Sequence, residues 1–260
     1  MSVFQLMPTE LASRISAVRQ RIEVAASRSG REPESVRLVA VSKFRSVEEI
    51  QEAVAAGVSD IGENRVQEAE GKRRLVVGSD LQWHLVGRLQ SNKVNKAIEV
   101  FDLIHSIGSV ELARRVNRLC GEQNRTQRVL IQVQLASEES KVGLPFARLF
   151  EDLEQMAELE NLRLEGMMVL PPYLDDPEDV RPYFRQLRKL RDEACARGLV
   201  GGAFKELSMG MSHDYEVAVE EGATLVRVGT ALFGERPVKD RPAAGPTFAE
   251  GAARAREDGR

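Results

Sequence analysis

Val36-Arg37-Leu38-Val39-Ala40-Val41, followed at once by Ser42-Lys43, is the stretch on which the fold turns. A short run rich in Val and Leu, apolar at nearly every position, reads as a strand covered on both faces, the kind found in parallel sheets. Behind it, Val47, Ile50, Val54 and Ala55 fall on one face of a helix over 46–56. The same strand-then-helix alternation continues outward. Further candidate strands are 58–61, 82–86, 101–106, 128–134, 163–169, 205–208 and 224–229, with amphipathic helices over 109–120 and 178–197. An additional helix over about 9–29 comes first, with Thr9 as its N-cap after Pro8. Eight strands alternating with helices or turns favour a closed (β/α)8 TIM barrel over an open doubly wound sheet. The expectation is an α/β single-domain barrel with an extra N-terminal helix, spanning 1–235. The tail 236–260, with Pro237, Pro242 and Pro246, is expected to be disordered apart from one frayed helix near 248–256.

Composition narrows the function. An apolar content of 42% supports one large core in 260 residues. The net charge of −3 is spread over interspersed signs, which argues against a nucleic-acid surface. The small basic clusters at Arg88, Lys93 and Lys96, and at Arg114, Arg115 and Arg118, read as solvated helix faces. Cys120 and Cys195 lack the spacing of a disulfide framework or a metal knuckle, and both are expected to be packing residues. No apolar run reaches the ~18 residues of a membrane span, and the N-terminus lacks a signal layout. A cytoplasmic protein in a reducing compartment is expected.

In such a barrel the chemistry sits at the C-terminal ends of the strands. Lys43 follows the first strand directly. A lysine among apolar walls loses solvation of its ammonium form and becomes a nucleophilic amine, suited to an imine with an aldehyde; the competing reading is a lysine snorkelling to solvent. Leu207-Ser208-Met209-Gly210-Met211-Ser212 forms a turn between a strand and a helix expected to begin near Ser212. Its backbone N–H groups, Gly210 and two hydroxyls suit a phosphate, against the plainer reading of Ser212 as an N-cap. Gly229-Thr230 is a second such turn, and barrel phosphate sites often use the loops after the last two strands. Arg227 interrupts Thr224-Leu225-Val226-Arg227-Val228, so its guanidinium needs either an acidic partner or an acceptor on a ligand, such as a pyridine nitrogen. An amine, phosphate turns and a buried arginine are the needs of pyridoxal 5'-phosphate (PLP). A barrel enzyme forming an imine with a sugar phosphate stays open, and it predicts a colourless protein. His84, His105 and His213 have no metal-ligand spacing.

The segments LVAVSKFRSVEEIQEAVAAG, IGENRVQE, WHLVGRLQSNK, HSIGSVELA, LIQVQLASEESKVGL, LEGMMVLPP and LSMGMSHDYEVAVEEGATLVRVGTALFGER cover about residues 36–235. In these the chain resembles the pyridoxal phosphate homeostasis proteins, relatives of the alanine racemase barrel domain. The resemblance implies a (β/α)8 barrel with Lys43 as the imine lysine. It implies a phosphate held by Ser208, Gly210, Ser212, Gly229 and Thr230, with Arg227 at the pyridine nitrogen and Asn64 beside the ring. Gln134 stands where the family often has Asn, and Leu85-Val86 replaces a more usual Phe-Ile; neither removes a proposed ligand.

A racemase needs a base on each face of the cofactor. The resemblance places the second base of alanine racemase on a tyrosine brought by an additional domain for which this chain has no room. Tyr173 lies in a Pro-rich loop after the sixth strand, within approach of the active face, and Tyr183 is expected on a helix surface or at an interface. The sequence therefore favours a carrier or buffer of PLP serving PLP-dependent apoenzymes and amino-acid metabolism, with a weak amino-acid racemase as the alternative. Lys93 and Lys141 are rival amines; the acidic neighbours of Lys141 favour its charged form and make it the poorer imine former. A closed barrel carrying its own covering helix is expected to be a monomer.

Overall fold

The computed structural model describes residues 9–78, 80–135 and 143–235. The strands are β1 Arg37–Val41, β2 Asp60–Glu63, β3 Gln82–Leu85, β4 Leu103–Ile107, β5 Gln127–Gln134, β6 Leu144–Pro145, β7 Leu162–Met168, β8 Glu206–Ser208 and β9 Leu225–Val228. The helices are α1 Glu10–Arg28, α2 Val47–Ala55, α3 Val66–Arg73, α4 Val94–Val100, α5 Val110–Glu122, α6 Leu149–Ala157, α7 Arg181–Ala196, α8 Tyr215–Glu220 and α9 Thr230–Phe233. Strands β1 to β5 and β7 to β9 pair in parallel around a ring that closes through β4 with β5 and β1 with β9. The two-residue β6 lies beside β5. This is the eight-stranded barrel expected from the alternation.

Alternation along each strand separates two apolar groups. Val39, Val41, Val86, Leu103, Leu130, Met168 and Leu225 meet inside the barrel. Their outward neighbours, such as Ala40, Ile61, Leu85 and Ile104, pack under the helices with Trp83, Phe101 and Phe184. Each fully buried Leu, Ile or Phe contributes about 1.5–3 kcal/mol, so the outer layer supplies most of the driving force.

Helix α1 caps more than its own end. The Thr9 hydroxyl accepts the Ala12 N–H at 3.2 Å, as expected of an N-cap. Arg19 donates to the carbonyls of Ala56 and Gly57 at 3.2 and 2.6 Å, satisfying the last turn of α2. Arg31, just past α1, donates to Val219 O in α8 at 2.7 Å. The helix thus ties the first βα unit to the last two.

Several boundaries differ from the sequence reading. β2 starts at Asp60 rather than 58, because Val58 packs in the outer layer before the strand while the acid enters the barrel. The helix expected over 178–197 opens as a 3-10 turn, Pro177–Val180, and becomes α-helical only at Arg181. The helix expected near Ser212 begins at Tyr215 with Asp214 as N-cap, so Ser212 is not a cap. Cys120 is buried, whereas Cys195 is exposed at the edge of α7 and not the packing residue expected. Tyr183 is half-buried against the core. The segment containing Lys141 and the tail 236–260 lie outside the described residues. Among the described residues no helix is long and apolar enough to cross a membrane.

Candidate functional site

Strand register decides where the site forms. Val39 pairs with Asp60 on one side and with Arg227 on the other, and Ser208 pairs with Leu225. The chain therefore leaves β2, β1, β9 and β8 as neighbours on one rim. Asn64, Lys43, the Gly229-Thr230 turn and the turn over 208–212 stand along this contiguous arc. All eight residues proposed from the sequence lie on it or just below it.

Lys43 is half-buried in a turn that is held at both ends. Ser42 donates its hydroxyl to Glu63 Oε1 at 2.6 Å, and Lys72 Nζ donates to the Ser42 carbonyl at 2.7 Å. Lys72 also reaches Glu63 and Glu68, at 2.7 and 2.6 Å. Glu68 in turn accepts the Phe44 N–H at 2.6 Å. Phe44 sits at φ +62°, a conformation costing a bulky residue roughly 1–3 kcal/mol, and the network supplies the restraint that keeps it there. Burial raises the Glu63 carboxyl above its ordinary range, and the Lys72 charge works against that rise. Lys72 is engaged by two carboxylates and a carbonyl, while Lys43 stands half-buried in the turn after β1, on the rim.

Asn64 is half-buried beside it, and Gly87 lets the next loop lie against it: a Cβ at Gly87 would fall 2.8 Å from Asn64 Cα. On the other side, Ser212 Oγ accepts the N–H groups of Gly229 and Ala231 at 3.1 and 3.2 Å. Two donors and a hydroxyl thus converge between the last two strands, with Thr230 exposed on the same turn. Gly210 sits at φ +90°, and a Cβ there would meet Ala218 Cβ at 2.6 Å. Only glycine permits that turn to close against α8. Asp214 Oδ1 accepts the Met211 N–H at 2.6 Å and so sets the bend after Gly210.

Arg227 and Ser208 lie deeper, inside the barrel. Arg227 is 4% exposed and donates to Ser208 Oγ at 2.5 Å and to the Val169 carbonyl at 2.9 Å. Among the described residues it makes no ion pair. Burial lowers its pKa to about 10, and it stays cationic at neutral pH. A buried guanidinium using two of its five donors on a serine and a carbonyl has capacity left for a ligand acceptor. Ser208 is fully buried and bonds His105 Nδ1 at 2.8 Å as well. Its hydroxyl therefore belongs to Arg227 and His105 in this structure.

Tyr173 is 72% exposed and rests on the ring of His213, centroids 5.1 Å apart. His213 Nε2–H donates to the carbonyls of Leu174 and Asp175 at 3.2 and 3.0 Å. The two residues join the loops after β7 and β8 on the rim. Sequence reasoning missed Lys72 and Asp60 and weighed His84 and His105 only for a metal role; the partners of all four lie a strand or more away.

Residues 14–237 match the family model described as alanine racemase, N-terminal domain. A pyridoxal phosphate homeostasis protein of Aquifex aeolicus is 47% identical over 223 residues, 86% of this chain and 97% of its own. The chain belongs to the pyridoxal phosphate homeostasis protein family. The family's Escherichia coli K12 member is 40% identical over 235 residues, covering 87% of this chain and 97% of its own. PipY of Synechococcus elongatus PCC7942, solved with PLP bound, superposes with a TM-score of 0.77 at 40% identity, covering 86% of this chain and all of its own. Clostridium difficile alanine racemase shares the fold, with a TM-score of 0.67 at 17% identity and 62% of its length covered.

Proposed function

We propose that this chain binds PLP at the β2–β1–β9–β8 rim and holds it for storage and delivery in the cytoplasm, without sustained catalysis. The observation that carries the reading is the contiguous arc itself. One amine is presented on a braced turn, converging N–H donors stand after the neighbouring strand, and a buried arginine that makes no contacting ion pair among the described residues lies below. These groups match the aldehyde, the phosphate and the pyridine nitrogen. When bound, PLP supplies an electron-withdrawing ring conjugated to its aldehyde carbon. Lys43 holds that carbon, Gly229, Thr230, Ser212 and Gly210 seat the phosphate, Asn64 flanks the ring, and Ser208 acts there through Arg227. Arginine at the ring nitrogen disfavours its protonation and makes the ring a weaker electron sink, which suits holding more than turnover.

Family members named homeostasis proteins and the PLP-bound PipY support this reading. The candidate second base, Tyr173, is open to water and leans on His213. Water-exposed chemistry on such a cofactor is hard to keep clean. The loaded protein, mixed with a PLP-dependent apoenzyme, is expected to restore that enzyme's activity as its own visible band falls. Chiral analysis of L-alanine incubated with the loaded protein is expected to show no sustained racemisation. Racemisation abolished by Tyr173→Phe would establish the enzyme reading instead. The chain is expected to act as a monomer, checked by light scattering.

A further inference from the structure

A line of buried polar side chains crosses the inside of the barrel from the floor to Arg227. Asp60 Oδ1 lies 3.0 Å from His84 Nε2. His84 Nδ1 lies 2.9 Å from His105 Nε2. His105 Nδ1 lies 2.8 Å from Ser208 Oγ, which accepts from Arg227. These five residues come from five strands, and all are at most 4% exposed. At the floor Asp60 is also held by the Ser59 hydroxyl at 2.8 Å and by Arg37 at 3.4 Å.

The proton positions follow from what each group is able to do. A carboxylate only accepts, so His84 carries its proton on Nε2. Its Nδ1 then accepts, so His105 also carries its proton on Nε2. His105 Nδ1 accepts in turn, so the Ser208 hydroxyl donates to it and offers its lone pair to Arg227. Every link points the same way, from the guanidinium to the carboxylate. An imidazolium at His84 would reverse the upper links and leave the Ser208 proton without an acceptor. Full burial, with the nearby charge of Arg227, holds His105 well below the ordinary imidazole range, in keeping with a neutral ring.

We propose that Asp60, His84 and His105 are positioning residues for Arg227: the one-directional chain fixes the guanidinium plane and links its charge to the Asp60 carboxylate across the barrel. Arg227 thereby gains a counter-charge through the chain in addition to the Asp214 carboxylate that acts on it through space, and its remaining N–H groups stay available to a ligand. Chains of this kind polarise cumulatively, so a change at Asp60 is felt at Arg227. The consequence for cofactor binding rests on the reading of Arg227 as the pyridine contact; the chain itself does not.

Two measurements separate these points. Long-range 1H–15N correlation on the cofactor-free protein is expected to show both His84 and His105 as neutral Nε2–H tautomers. A proton on His105 Nδ1 would overturn the proposal whatever the protein binds. Second, PLP affinity and the position of its lysine-linked absorption band are compared in wild type, Asp60→Asn, Arg227→Met and the double variant. Asp60→Asn, out of reach of the cofactor, is expected to weaken PLP binding about tenfold and to move the band. In the Arg227→Met background it is expected to change nothing further. Additive effects, or wild-type binding by Asp60→Asn, would mean that Asp60 is only structural. Should Asp60→Asn fail to fold, His84→Gln takes its place in the same cycle. Absence of any band in the wild type would sink the cofactor reading and leave the tautomer result to judge the chain.

Discussion

Lys72 Nζ lies 2.7 Å from Glu63 Oε1, a cation from α3 closing on a carboxylate at the end of β2 that is wholly buried. The pair also grips the carbonyl of Ser42, the residue before Lys43. Removing one partner of such a pair strands the other, whereas removing both need not. Lys72→Met is therefore expected to cost about 3–5 kcal/mol of stability, read by urea unfolding. Glu63→Gln added to Lys72→Met recovers part of it. A Lys72→Met protein as stable as wild type would show that the pair contributes nothing to the Lys43 turn.

Ser212 and the turn after β9 bear on phosphate affinity. Ser212→Ala removes the hydroxyl that faces the Gly229 and Ala231 N–H groups. Loss of one hydrogen bond to a charged group, about 1.5–3 kcal/mol, predicts roughly ten- to hundredfold weaker PLP binding in a spectroscopic titration. The covalent attachment at Lys43 is expected to persist. Unchanged affinity would move the phosphate elsewhere.

Gly210 tests the same turn through the backbone. Gly210→Ala places a Cβ 2.6 Å from Ala218 Cβ and 3.0 Å from Tyr215 Cα at φ +90°. The unfavourable conformation alone costs about 1–2 kcal/mol, and the contacts add to it. A lower melting temperature and poorer PLP retention are expected together. A stability equal to wild type would mean that the turn relaxes freely.

His105 gives the protein a pH signature. Burial and neighbouring positive charge depress its folded-state pKa well below 6.5. The unfolded chain therefore binds the extra proton first, and the stability held above about pH 6.5 is lost as pH falls toward the folded value. The slope is about 1.4 kcal/mol per pH unit at most. Asp60 follows at lower pH: burial raises its pKa, but the hydrogen bonds from His84 and Ser59 and the charge of Arg37 bring it below 3.8, so its contribution fades under about pH 4. Thermal melts between pH 7.5 and 5 are expected to fall for wild type and less steeply for His105→Gln. A flat wild-type profile would contradict a neutral buried His105.

Much of this was legible in the residues. The run ending in Ser42-Lys43 and the arginine inside β9 announced themselves because each breaks an apolar pattern. Lys43 ended a buried strand, and Arg227 had no local partner. The eight-strand alternation likewise followed from short apolar runs, each bounded by a helix or turn. What stayed hidden was long-range. Asp60 fell in the candidate strand 58–61 with nothing to mark it, and only pairing with Val39 puts it inside the barrel. Lys72 lies in a charged stretch with no local signal, and it folds under to Glu63 and Ser42. The start of α8 slipped to Tyr215 because Asp214, not Ser212, takes the free N–H of the turn.

The most direct test of the account is the visible spectrum of the purified protein with PLP, followed by borohydride reduction and peptide mapping. The account predicts an imine band and a single modified lysine, Lys43, with both lost in Lys43→Ala. No band, or label spread over Lys93, Lys141 and surface lysines, would contradict it.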